Sequence, residues 1–268
     1  MKTSMQSSII RVATLVIMTM AFAESASAQR SRLFERVDRS ELRAATNRLV
    51  RQIARNELEG TVGDGSDPKS QLLDLSPAVT AEDFSQESRR ALQVAFQLEP
   101  SKENLLLVGL TGADMLVGEV ETHAAEPIKT PASGMFYGTL PWAANLVRAR
   151  HGDKASAGRV LDVSREADVE LQVVFLLREL AYVPQPEIAE YIAAFVFSEG
   201  RVEPVKSTVE GILYAQYAAA ALSRMLEGCP VPYKEDYSYS RKEIETLRAW
   251  LSRDVNGDWR FRNSDRSR

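Results

Sequence analysis

The chain has 268 residues, 44% hydrophobic and 26% charged, with 33 Lys and Arg against 37 Asp and Glu, two His and one Cys. These counts exclude a disulfide framework and a four-ligand Cys/His zinc site, and the near balance of charge argues against a nucleic-acid partner. The hydrophobic fraction is high enough for a packed core, and domains of about 100–200 residues allow one large or two small ones.

Residues 1–28 read as a bacterial-type signal peptide. Lys2 and Arg11 supply a positive n-region, Val12 to Ala23 an apolar run, and Ala26-Ser27-Ala28 an A-x-A cleavage site that makes Gln29 the mature start. The run is shorter than the roughly 20 residues that span a membrane. Nothing later in the chain resembles a second span, so the expected product is periplasmic or secreted, with no transmembrane segment after cleavage. Losing the leader shifts the net charge one unit further negative, since Lys2, Arg11 and Glu24 leave together.

Residues 29–58 are expected to form a basic amphipathic helix. Leu33, Val37, Leu49, Val50, Ile53 and Leu58 recur at helical spacing, and eight arginines fall between Arg30 and Arg55. That face is either solvated, with Glu35, Asp38, Glu41 and Glu57 in partial balance, or a surface for an anionic partner. Residues 59–80 read as a linker, because Gly60, Gly63, Gly65 and Asp67-Pro68 crowd together and Pro77 follows. The glycine spacing fits neither the dinucleotide nor the Walker fingerprint.

Residues 81–253 are expected to be helical throughout. Ala81 to Leu98 ends at Pro100, and Ser101 caps a second helix that runs through Leu105 to Val120. A loop from Glu126 to Pro141 leads into short helix Ala143 to Arg150. Further helices cover Glu166 to Tyr182, Pro186 through Val196, Lys206 to Leu226 and Arg241 to Arg253. No convincing alternating strand appears, so the fold class is all-α.

Internal similarity sharpens this. Leu92-Gln93-Val94-Ala95-Phe96-Gln97-Leu98 nearly recurs as Leu171-Gln172-Val173-Val174-Phe175-Leu176-Leu177, an offset of 79, and Ile212 follows Leu171 by 41. A period near 40 made of helix pairs resembles HEAT repeats, best over residues 166–226. That resemblance implies antiparallel helix pairs stacked as a right-handed superhelix, a scaffold for partners with no shared catalytic residues. A plain helical bundle is the alternative.

Three features bear on function. Phe136, Tyr137 and Trp142 are large aromatics at a long loop, either binding residues for a partner, another protein, or anchors of the core. The C-terminal tail, residues 254–268, holds Asp254, Asn256, Asp258 and Asp265 at positions one, three, five and twelve of a loop. This resembles an EF-hand or dockerin-type Ca²⁺ site, although Trp259 stands where the turn glycine belongs and no exit helix follows. The alternative is an Asn-Gly turn with Trp259 and Phe261 packed back on the bundle. Cys229 is unpaired in an exported chain and reads as a buried small hydrophobe rather than a nucleophile. His123 and His151 are expected at helix ends, in solvated or capping roles.

The absence of H-E-x-x-H, G-x-S-x-G and Walker motifs favours an exported, non-enzymatic scaffold or binding protein. The competing expectation is an all-helical enzyme on envelope or environmental polysaccharide, using carboxylates with Trp142, Tyr233, Tyr237 and Tyr239.

Overall fold

The computed structural model describes residues 38–59, 67–112, 117–128, 135–202, 211–253 and 259–262. The expected signal peptide, the first residues of the expected basic helix, and Asp254, Asn256, Asp258 and Asp265 of the expected Ca²⁺ loop lie outside them.

The protein is all-α. Helix α1 (Arg39–Glu59) begins at Asp38, whose Oδ1 accepts from the Ser40 and Glu41 amides at 2.8 and 3.3 Å, satisfying donors that every helix start leaves open. Leu42, Leu49, Val50 and Ile53 enter the core, while Arg43, Arg48, Arg51 and Arg55 face solvent.

Part of the expected linker is a helix. In α2 (Pro68–Leu75), Asp67 caps the Lys69 and Ser70 amides and Pro68 occupies the first turn, where its missing N–H costs nothing. Leu72 and Leu75 are fully inside. Asp-Pro here starts a helix that packs on α1, and the preceding glycines obscured it.

A 3₁₀ turn (Ala81–Asp83) precedes α3 (Gln86–Leu98), capped by Ser85, and Ser101 caps α4 (Lys102–Gly109) as expected. The single helix expected from Ser101 to Val120 stops at Gly109. Leu110 and Thr111 turn the chain, and Gly112 sits at φ 113°, a conformation that suits glycine. Helix α5 (Val117–Ala125) follows.

Helix α6 (Leu140–Arg150) starts at the Thr139 cap with Pro141 in its first turn, three residues earlier than expected. It buries Trp142, Ala143, Ala144, Leu146, Val147 and Ala149, and contacts α4, α5 and the next helix, α7 (Lys154–Glu166, capped by Asp153). Gly109 makes the α4–α6 approach possible, because a Cβ there would lie 2.5 Å from Val147 Cγ2 and 2.6 Å from the Tyr182 hydroxyl. Gly109→Ala is therefore expected to destabilise the protein by about 1–3 kcal/mol through overpacking. Thermal unfolding checks this, and an unchanged or higher midpoint would contradict it.

Helix α8 (residues 169–180) is α-helical over Val169–Leu171, widens to a π turn over Gln172–Leu176, and returns to α-helix over Leu177–Leu180. The heptapeptides that suggested the repeat do not occupy equivalent places. Phe96 is buried in α3, but its counterpart Phe175 is 46% exposed, and exposed Val94 and Leu98 correspond to buried Val173 and Leu177. The added π residue rotates the helical face, so the two similar strings bury opposite sides.

Helix α9 (Pro186–Val196) opens with Pro186 in its first turn, as expected. A two-residue antiparallel ladder, β1 (Arg201–Val202) with β2 (Ile212–Leu213), precedes α10 (Tyr214–Met225). The small side chains Ala215 and Ala218 to Ala221 are buried and allow α10 to lie close against α9, α8 and α11 (Arg241–Arg253). Trp259 and Phe261 pack against the core, and Phe261 pairs with Leu226 through backbone bonds from Glu227 to Arg260 (2.7 Å) and from Arg262 to Met225 (3.1 Å). Among the described residues no helix is long and apolar enough to cross a membrane.

Candidate functional site

The most heavily charged part of the interior is the junction of α2, α4, α8 and α10. Asp74 lies on α2 between Leu72 and Leu75 and is buried with both of them. Its Oδ1 accepts from Arg178 Nε and Nη2 on α8 at 3.0 and 2.7 Å, and from Arg224 Nη1 on α10 at 3.1 Å. Arg224 is 3% exposed even though it rides on the alanine-rich helix, and its guanidinium carbon lies 5.8 Å from the Tyr233 ring. Burial works to lower the Arg178 pKa, but the Asp74 carboxylate holds it above its usual value.

A second network lies beside the first. Lys102, at the start of α4, donates to Glu179 Oε1 at 2.6 Å and lies 3.5 Å from Glu103. Trp142 Nε1 donates to the other Glu179 oxygen at 2.6 Å. Burial pushes the Glu179 carboxyl above its ordinary range against the pull of Lys102, which is itself held upward by Glu179 and Glu103 despite desolvation.

Between the two networks is a cavity of about 270 Å³, lined by Asp74, Lys102, Glu103, Arg178, Glu179 and Arg224 together with Leu73, Leu106, Val174, Phe175, Tyr182 and Tyr237. Two pieces of unusual backbone border it. The π turn supplies Gln172 to Leu176, and with them Val174 and Phe175. Tyr237 has φ 56°, a left-handed conformation that a bulky side chain rarely adopts. It is held by a tilted ring contact with Tyr217 (4.5 Å between centroids), by Asp236 accepting from the Ser238 amide, and by the adjoining Tyr239, whose hydroxyl donates to Pro232 O at 3.0 Å and accepts from the Lys234 amide at 2.9 Å.

The aromatics expected to bind a partner divide. Phe136 (1% exposed) and Trp142 (0%) meet edge to face inside the core, 5.3 Å apart, so neither offers a contact surface. Tyr137 is half-buried, stacks on Phe175 at 5.2 Å and lies 5.7 Å from Lys102 Nζ. Trp142 reaches the cavity through its hydrogen bond to Glu179. Of the tyrosines expected in an enzyme, Tyr237 lines the cavity and Tyr233 meets Arg224, whereas Tyr239 is tied up in internal hydrogen bonds.

His151 ends α6 with its Nε2 2.8 Å from Gly109 O, and His123 pairs with Glu126 at 3.2 Å, so both sit at helix ends as expected. Cys229 is partly buried, and burial pushes its thiol up to about 11 from an ordinary value near 9. Native alkylation at pH 8 is therefore expected to run about a hundredfold slower than in denaturant, following the thiolate fraction. Equal rates in a timed iodoacetamide reaction would contradict this.

Asp74, Lys102, Arg178, Glu179 and Arg224 went unnoticed in the sequence. The available signal was a charged residue inside an otherwise buried stretch, as Asp74 is among leucines and Arg224 among alanines. Comparison of the chain with protein-family models, curated proteins and solved structures finds no match. What the site does therefore has to come from its own chemistry.

Proposed function

We propose that the protein is an exported, non-enzymatic binding protein and that the cavity between Asp74 and Glu179 is its recognition site. The observation that carries this is convergence. A π turn, a left-handed tyrosine and two largely buried ion networks each cost free energy, and all four border one cavity. Such features persist where they serve recognition or catalysis. The cavity is small and recessed, which suits a small molecule or a single projecting group better than a broad protein face. Binding is favoured over chemistry because the carboxylates are already engaged, Asp74 by two arginines and Glu179 by Lys102 and Trp142.

One observation favours the second reading, an enzyme on envelope or environmental polysaccharide. Glu179 is a buried carboxyl with a raised pKa, the state a general acid needs. A single experiment separates the two: titration calorimetry of the full chain against soluble glycans, sugar acids, amino acids and aromatic acids, alongside an assay for new reducing ends. The expected result is saturable binding to at least one probe, no turnover, and loss of binding in Val174→Trp, which plugs the cavity. Turnover abolished by Glu179→Gln would establish the enzyme reading instead, and binding that survives Val174→Trp would move recognition elsewhere. An entirely silent panel would end the proposal.

A further inference from the structure

Within the cavity, donors outnumber the acceptors that use them. A guanidinium carries five N–H groups in a fixed fork. Arg178 spends Nε and Nη2 on Asp74, and its Nη1 has no partner among the described residues, although the side chain is 50% exposed and lines the cavity. Arg224 spends Nη1 on Asp74 and Nη2 on Arg178 O. Its Nε–H is buried with no hydrogen-bond partner among the described residues, in a side chain only 4% exposed. A buried, unsatisfied donor on a charged group is costly, and most are matched by protein, water or ligand.

The charges point the same way. Around Asp74 stand two guanidinium cations and one carboxylate, a local excess of one positive charge. At the other end Lys102 lies between Glu179 and Glu103, so no further cation is left unmatched there. An anionic group is thus favoured at the arginine end, and a second anionic group reaching the glutamates is disfavoured. Phe175, Val174, Leu73 and Leu106 supply apolar wall beside the arginines.

We propose that the ligand is a small organic monoanion, its carboxylate or phosphate held by Arg178 and Arg224 and its apolar body against Phe175 and Leu106. This rests on the cavity being the recognition site. Carboxylate and phosphate both match the guanidinium fork, and the measurement distinguishes them.

The test is titration of the full chain at low ionic strength with phenylacetate, phenyl phosphate, phenethylammonium and benzyl alcohol. The expected result is binding of one or both anions at least tenfold tighter than the ammonium or the alcohol. Arg178→Gln should weaken the anion at least tenfold. Phe175→Ala, an exposed substitution that leaves the charge network in place, should weaken it severalfold, so the proposal stays testable if the arginine variant does not fold. Preference for the ammonium or the alcohol would overturn the proposal, as would affinity unchanged in both variants. Failure of all four probes also overturns it, and the wider panel above then decides whether the cavity binds anything. A ligand found there that carries no anion defeats the ligand class and leaves the binding protein standing.

Discussion

Replacing Asp74 with alanine is expected to cost the fold about 3–5 kcal/mol, the range for removing one partner of a buried charge pair. The loss comes mainly from what is left behind. Arg178 is half exposed and can turn its guanidinium to water, but Arg224 is 3% exposed and stays inside with the Tyr233 ring and one carbonyl. Asp74→Asn should fall between wild type and alanine, because it keeps an acceptor and loses the charge. The double variant Asp74→Ala/Arg224→Met should recover most of the loss, since apolar replacement of a whole buried ion network is often neutral. Urea denaturation measures all three, read as a shift of midpoint at constant slope. A loss under about 1 kcal/mol in Asp74→Ala, or a double variant no more stable than the single one, would show that Asp74 does not neutralise Arg224.

The asymmetry between the two arginines links this stability effect to the recognition proposed for the cavity. Arg224 holds Asp74 from within the core, and half-exposed Arg178 bridges from Asp74 to the cavity wall. A protein built only for stability gains little from such a network, because well-packed leucines in its place would serve as well. Under the proposed binding role, the network presents a preorganised pair of donors on rigid helices, held by a carboxylate whose own position α2 fixes.

How much of this the chain announced in advance depended on the range of the interactions. Helix α11, the Ser101 cap and the Pro186 start lie where the sequence places them, because caps, proline and the 3.6-residue period are local. A cluster of glycines masks the Asp-Pro start of helix α2, and Pro141 hides the Thr139 cap that starts α6 three residues ahead of Ala143. The similarity of the two heptapeptides does not carry over to their burial. Two similar heptapeptides look equivalent, but one lies in a regular helix and the other enters a π turn, which no pattern of residue types reveals. The site was the least legible part. Its charged residues come from positions 74, 102, 178, 179 and 224, and only tertiary packing brings them together. Trp142 and Tyr237 were singled out as aromatic, and the structure gives them work that aromatic character did not foretell: one donates to a buried carboxyl, the other holds a left-handed turn.

The Trp142 donor provides the second large effect. Trp142→Ala is expected to destabilise by about 3–5 kcal/mol, since it empties a fully buried site and removes the edge-to-face partner of Phe136. Trp142→Phe isolates the polar part, because a ring remains against Phe136 while the indole N–H to Glu179 is lost, costing roughly 1–3 kcal/mol. That smaller loss should depend on pH. Glu179 has a folded-state pKa above its unfolded value near 4.5, so the folded protein binds this proton more tightly. Any stability Glu179 contributes through that proton is therefore present in acid and lost as pH rises through the folded value. The Trp142 hydrogen bond opposes the upward shift by stabilising the ionised form. Without it the pKa climbs further, and the penalty for keeping Glu179 charged grows. The Trp142→Phe defect should accordingly be largest at neutral to mildly alkaline pH and shrink as the pH falls through the folded-state pKa of Glu179, below which both proteins carry the proton. Taking the difference between variant and wild type in urea at each pH cancels the other carboxylates. A defect of the same size across that range would assign the loss to packing alone and detach Trp142 from the charge network that frames the cavity.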